Sequence, residues 1–346
     1  MRFLFAGIFS ALFLLPITVH ARGAFDVERW YDLIDSVRTR AAKNGVSAQT
    51  IDATVRNVVF VPSIVKSDKN QAEFKLTMDG YLQRTVSQQR ISDGIRARGL
   101  YPTMLSRVSA KYGVQPHVIL AFWGMESNYG AVKSRHKLTN AFFTLMYDGR
   151  RETFFTNQLL ALMQIADKNN LDINNIHGSW AGAMGHFQFI PTTLAQYGVD
   201  GNGDGRVDII NSVGDAMFSA ANYLNKLGWN PNERIVRQVA LPADFDLSLL
   251  DGKTRMPLSQ WVAMGVVNPD GTALPVADLD AGLVADIAEI QAHRDASAVS
   301  EDSDVDIAPQ PVIKAYLTYP NFYRIKKWNN SNWYALAIAE LADKLK

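Results

Sequence analysis

Glu126 closes an apolar run, VILAFWGM, within the stretch FWGMESNYG. A carboxylate there is costly unless it is paired or stays protonated for a purpose. On a helix opened by Pro116, the residues Ile119, Phe122, Trp123 and Glu126 stand at i, i+3, i+4 and i+7, so the carboxylate shares the apolar face. Desolvation by such neighbours raises a glutamate pKa, which is what a general acid needs near neutral pH. The same spacing also suits a structural Glu, paired with a Lys or Arg or reaching water at the helix end.

A second candidate is GSWAGAMGHFQFIP, Gly178 to Pro191. Its small residues let backbone approach something closely, Ser179 and Gln188 bring neutral hydrogen-bonding groups, and Trp180, Phe187 and Phe189 bring flat apolar faces. Sugars present both hydroxyls and apolar C–H faces, so this set suits a saccharide lining. A tight turn packed between helices is the plainer alternative.

The third candidate, DGNGDGRVDIIN, follows the calcium-loop pattern. Asp200, Asn202 and Asp204 fall at positions 1, 3 and 5, Gly205 at 6, the carbonyl of Arg206 at 7 and Asp208 at 9. Asn211 stands at position 12 in place of the bidentate Glu, which removes a ligand charge. Ca2+ is therefore expected to be structural and weakly held; an Asx-turn loop that needs no ion is the alternative. In DGRRETFF, Arg150 and Arg151 offer two guanidinium forks for carboxylates, against the reading of an exposed helix start where cations oppose the dipole. G-x-S-x-G, H-E-x-x-H and G-x-x-x-x-G-K are absent, and His177 and His186 read as core or surface residues rather than ligands.

The elements that must position these groups are mainly helical. Trp30, Leu33, Ile34 and Val37 recur at helical spacing, and Ser47 caps a second helix. Further helices are expected over 78–112, from Pro116 with Gly130 closing it, and over 139–148, 151–168, 192–198 and 212–227. After Trp229 the chain is richer in Pro, Gly and alternating apolar residues, with NPDG as a turn, and predicts a small subdomain of short strands. The acidic run EDSDVD at 301–306 reads as a solvated loop, or as a partner site. NNSNWYALAIAELADKLK returns to helix, capped by Ser331 or Asn332, with Tyr334, Ile338, Leu341 and Leu345 as its stripe. The fold class is mainly α with a minor β part (α+β).

The 346 residues suffice for one large domain or two ordinary ones, and a net charge of +1 gives no basic footprint for nucleic acid. At the N-terminus one Arg precedes an apolar run from Phe3 to Val19 and then VHA, the pattern of a signal peptide cleaved after Ala21; an uncleaved membrane anchor is the alternative. With no Cys in the sequence, a lipobox, disulfides and thiolate metal sites are excluded. An exported, soluble chain in a bacterial periplasm is expected.

Taken in order, YGVQPHVILAFWGMESNYG, GSWAGAMGHFQFIPTTLAQYGVDGNGDGRVDI, AANYLNKLGW and YPNFYRIKKWNNSNWYALAIAELAD resemble the lytic murein transglycosylase B family. The likeness spans nearly the whole chain after residue 21 and fades in 265–312. It implies a lysozyme-like helical core that cleaves the β-1,4 bond between N-acetylmuramic acid and N-acetylglucosamine of peptidoglycan. Glu126 matches the catalytic acid/base, and Ser179 and Gln188 match sugar contacts near the cleavage point. Tyr81, Tyr223, Asn329 and Tyr334 match cleft-lining residues, and Arg150 and Arg151 a pair associated with the peptide stem. The calcium loop has a counterpart in part of the family. The implied division is a leader 1–21, a helical region 22–103, a catalytic core 104–230 with its loop 200–211, a β/loop subdomain 231–320, and a segment 321–346 that completes the cleft. No organic cofactor is implied; the partners are glycan strands, together with cell-wall synthesis or division proteins, and a monomer is expected. In the implied reaction the muramoyl C6 hydroxyl closes a 1,6-anhydro ring, so no second carboxylate is needed. Asp148 and Glu152 are the available acids should a lysozyme-type hydrolase be the truth, and a non-catalytic peptidoglycan-binding scaffold is the third reading.

Overall fold

The computed structural model describes residues 25–346 apart from 70–75, 133, 278 and 301–312. The leader and the acidic run 301–306 lie outside the described residues. The chain is helical through its first two thirds: α1 (Val27–Lys43), α2 (Ala48–Arg56), α3 (Pro62–Lys69), α4 (Met78–Thr85), α5 (Gln88–Leu100), α6 (Pro102–Tyr112), α7 (Pro116–Ser127), α8 (Leu138–Asp148), α9 (Glu152–Asn169), α10 (Pro191–Tyr197) and α11 (Val213–Lys226). A two-stranded ribbon, β1 (His136–Lys137) and β2 (His177–Gly178), interrupts it. Then come β3 (Val236–Leu241), β4 (Asp251–Pro257), α12 (Leu258–Ala263), β5 (Asp280–Val284), α13 (Ile287–Ser300), β6 (Ile313–Thr318), α14 (Pro320–Trp328) and α15 (Asn332–Lys344). The fold is mainly α with small antiparallel sheets, as the sequence predicts.

Local signals explain most of the boundaries. Ser47, Ser87, Ser212 and Ser331 each accept the backbone N–H three residues on. Pro102, Pro116, Pro191 and Pro320 occupy first helical positions. The expected single helix over 78–112 is three helices, because the Ser87 cap and Pro102 each start a new one.

The helix α7 sits in the middle. It packs against α5, α6, α11 and α15, and every residue from Val118 to Gly124 is buried. The expected one-sided apolar stripe is therefore a helix apolar all round, enclosed on every side, and only its last turn comes near the surface. The turn is closed by Asn128 in the left-handed region rather than by Gly130.

The later sheet has the order β3-β6-β5-β4 and is antiparallel throughout. Its own core gathers around Trp261, which is fully buried and donates Nε1–H to the Ala281 carbonyl at 2.9 Å. The segment expected to hold only short strands also contains α12 and α13. Asp286, just after β5, couples this part to the helical body: its carboxylate accepts the N–H of Met78 at 2.8 Å and that of Glu289 at 3.2 Å. Among the described residues no helix is long and apolar enough to cross a membrane.

Candidate functional site

Glu126 stands in the last turn of α7, half-buried between the enclosed helix and the surface. The hydroxyl of Tyr334, from the first turn of α15, donates to its Oε1 at 2.5 Å. Burial first, and then the Glu126 carboxylate, push the Tyr334 hydroxyl well above the ordinary phenol range, so it stays a donor. Tyr81 on α4 lies close enough to Tyr334 to act on it electrostatically.

The backbone just beyond Glu126 is tied to the glycine-rich loop. Ser127 Oγ donates to the His186 carbonyl at 2.6 Å and accepts the Gly130 N–H at 3.0 Å. Trp123 Nε1 donates to His186 Nδ1 at 3.1 Å. The loop itself is a folded hairpin in which Met184 and Phe189 exchange backbone hydrogen bonds. Ser179 Oγ accepts the N–H groups of Ala181 and Ala183, at 3.3 and 3.1 Å. Gln188 sits in the left-handed region at φ 48° and turns its amide nitrogen onto the Gly185 carbonyl at 2.9 Å. Gly182 is required here, since a Cβ would stand 2.1 Å from the Phe142 ring.

An aromatic chain joins this loop to the remaining predicted residues. Trp328, at the end of α14, packs on Phe122, Phe189 and Tyr223 with ring centroids 4.9, 5.2 and 5.1 Å apart. Tyr223 stacks on Tyr197 at 4.6 Å and donates its hydroxyl to the Lys327 carbonyl at 3.3 Å. Asn329 follows Trp328 as the cap residue of α14 and is half-buried. Glu126, Tyr334, Tyr81, the 179–188 loop, Tyr223 and Asn329 thus belong to one connected neighbourhood.

Arg150 and Arg151 are placed differently from the expected pair of open forks. Both guanidinium groups pair with Asp68, a buried carboxylate in the last turn of α3. Arg151 also lies over the Phe155 ring at 4.9 Å. They retain 51% and 42% side-chain exposure, enough for outward N–H groups to meet another carboxylate. Asp148 pairs with Lys69 at 3.1 Å, and Glu152 is exposed at the start of α9.

In the loop from Asp200 to Asn211 the oxygens are turned onto the loop's own amides. Asp200 accepts the N–H groups of Gly203, Asp204 and Gly205, which hold its carboxyl below the ordinary range, the Gly205 bond most. Asn202 Oδ1 accepts from Asp204, and Asp204 Oδ1 accepts from Arg206. Asp208 accepts the N–H groups of Ile210 and Asn211 and the Asn211 side-chain amide. Among the described residues no group of three His, Cys, Asp or Glu is gathered for a metal. Asp200, Asn202, Asp204 and Asp208 nevertheless fit Ca2+ by donor type and order; Asn211, which points its amide at Asp208, does not supply the twelfth-position carboxylate.

Comparison with known families decides the relationship: the family described as Transglycosylase SLT domain matches residues 29–343. The chain belongs to this family. The membrane-bound lytic murein transglycosylase B of Escherichia coli (strain K12) is 29% identical over 264 residues, 75% of this chain and 65% of that protein. The chain thus spans just under two thirds of that relative's length. Among solved structures, SltB3 from Pseudomonas aeruginosa, in complex with NAG-anhNAM-pentapeptide, is 36% identical with a TM-score of 0.80, covering 91% of this chain and 79% of that one. The Escherichia coli lytic transglycosylase Slt35 in complex with calcium is 25% identical with a TM-score of 0.74, covering 92% of each.

Some residues that build this SLT domain site carry no local sequence signal. Ser127 reaches the His186 carbonyl 59 residues away, and Trp328 packs on Phe122 from the far end of the chain. Asp215 could have been found by asking which carboxylate follows the loop: it is fully buried in the first turn of α11 and accepts the N–H groups of Gly201, Asn202 and Asp208.

Proposed function

We propose that this SLT domain protein is a lytic transglycosylase that cleaves the β-1,4 bond between N-acetylmuramic acid and N-acetylglucosamine of peptidoglycan and leaves a 1,6-anhydro end. The observation that carries the reading is the single carboxylate Glu126 at the end of an enclosed apolar helix, with the Tyr334 hydroxyl on its Oε1. Glu126 donates a proton to the glycosidic oxygen, and the C1–O4 bond breaks through an oxocarbenium-like state. The carboxylate then takes the proton of the muramoyl C6 hydroxyl as O6 bonds to C1. Tyr334 steadies the charge on Glu126 between the two transfers. An attacking group within the substrate needs orientation only. The engagement of Asp148 with Lys69 and the exposed position of Glu152 support this reading over hydrolysis, which asks for a second acid.

Ser179, Gln188, Tyr81, Tyr223 and Asn329 contact the sugars, in keeping with their shared neighbourhood. Arg150 and Arg151, held by Asp68, present their outward N–H groups to carboxylates of the peptide stem. SltB3, solved with a ligand that contains both sugar and pentapeptide, supports a substrate of this chemistry. Ca2+, if bound, is held by Asp200, Asn202, Asp204 and Asp208 with the Arg206 carbonyl, and pins the loop without joining the chemistry. The leader over 1–21 supports export to the periplasm.

The test is mass spectrometry of muropeptides released from purified sacculi by the chain from residue 22, beside Glu126→Gln. Anhydro-muropeptides from the first and none from the second are expected. Products one water heavier, with reducing ends, would mean a hydrolase; no release by either would favour the binding scaffold.

A further inference from the structure

Directly after Ser127 comes a turn, Asn128–Tyr129–Gly130, with φ angles of 50°, 58° and 82°. Two of these are non-glycine residues in the left-handed region, a conformation that persists only where the surroundings hold it. Tyr129 is what the surroundings grip. It folds back along its own helix, and its ring passes Gly124 on α7 and Gly94 on α5. A Cβ added at Gly124 would stand 2.6 Å from the Tyr129 hydroxyl oxygen, and one at Gly94 would stand 2.4 Å from it. Both positions are closed to a side chain while the ring is in place.

The hydroxyl donates to the Arg90 carbonyl at 3.0 Å, and burial keeps it a neutral donor by raising its pKa. Arg90 Nη1 donates to the carbonyl of Thr85, at the end of α4, and lies 3.9 Å from Met125 Sδ, beside Glu126. Thr85 Oγ1 in turn donates to the Tyr81 carbonyl at 2.7 Å. A continuous set of contacts therefore runs from the turn after Glu126 to the helix that carries Tyr81.

We infer that Tyr129 is a positioning residue, a wedge between α5 and α7 that acts with Arg90 to fix the Glu126 carboxylate against Tyr334 and Tyr81. This rests on the proposed acid/base role of Glu126. A reacting group displaced by about 1 Å loses on the order of 100-fold in rate. The proposed sugar contacts Ser179, Gln188 and Tyr223 come from other elements.

The experiment is a double-mutant cycle of Tyr129→Ala and Gly124→Ala, with Tyr129→Phe beside it, measured as kcat and KM on soluble glycan strands. Tyr129→Ala lowers kcat by about 100-fold with KM unchanged. Gly124→Ala does the same, because its Cβ expels the ring, and costs nothing further once the ring is gone. Tyr129→Phe keeps the wedge and falls between, losing only the Arg90 bond. A rise in KM with kcat intact, or losses that multiply across the cycle, would overturn the inference. Carbon-13 titration of the Glu126 carboxyl reads the same contact without turnover: its midpoint moves in Tyr129→Ala, and an unmoved midpoint counts against the wedge. A wild type that releases no anhydro-muropeptide sinks the proposed reaction, while the titration still decides the role of Tyr129.

Discussion

The Tyr334 hydroxyl sets the terms on which Glu126 can serve as the proposed acid/base. As a donor to the carboxylate it favours the charged form, whereas burial along α7 favours the protonated one. In the proposed reaction proton donation needs the acid and the second transfer needs the base, so the pair has to keep both forms within reach. Tyr334→Phe removes the donor, so the Glu126 pKa rises and the acid persists to higher pH. The alkaline limb of kcat/KM then moves to higher pH, while kcat falls because the carboxylate formed in the first transfer has lost its partner. A pH–rate profile of the two proteins checks this; a limb that stays put or moves down would contradict it. As a candidate, Glu126 stood out in the sequence because a carboxylate at the end of FWGM conflicts with its neighbours. Ser127 was not, because a serine at a helix end conflicts with nothing and its partner, the His186 carbonyl, arrives from another part of the chain.

At the level of elements, α11 anchors the loop that precedes it. Asp215 gathers three loop amides onto one buried carboxylate, and His186 N–H bonds to the Ile209 carbonyl at 3.1 Å, which ties the loop to the hairpin beneath Ser127. The loop is therefore shaped by protein groups, and metal removal should leave the fold intact. In a thermal-unfolding experiment Asp215→Asn loses about 2–3 kcal/mol, the worth of charged hydrogen bonds that cannot be remade. Ca2+ raises the midpoint only at concentrations on the order of 10⁻⁴ to 10⁻³ M, the weak class expected without a twelfth-position carboxylate. A chelator that unfolded the protein would show that the ion shapes the loop, and a harmless Asp215→Asn would show that this carboxylate does not. The loop's pattern was plain in DGNGDGRVD, but its clamp lay past the pattern's end. The Arg pair illustrates the other kind of shortfall: two adjacent guanidinium groups are visible in DGRRETFF, while the carboxylate that claims them, Asp68, sits on a helix 82 residues earlier.

Across the whole molecule, the sheet explains itself as a support. Through β6 it leads into α14 and α15, and so to Trp328, Asn329 and Tyr334; through Asp286 it caps the start of α4, and so seats Tyr81. Asp286→Ala leaves two helix-start amides without their acceptor and should cost about 1–2 kcal/mol. Activity on glycan should fall with it although Glu126 is untouched; full activity in the folded variant would mean that the sheet does not position the site. The helical body was readable from caps, prolines and apolar spacing, and α13 was not, because its segment offers no sustained apolar stripe. In the proposed reaction O6 of the substrate, rather than water, attacks C1. Digestion of sacculi in heavy-oxygen water tests this most directly: the new muramoyl ends should carry no label, and labelled reducing ends would mean that water attacks instead.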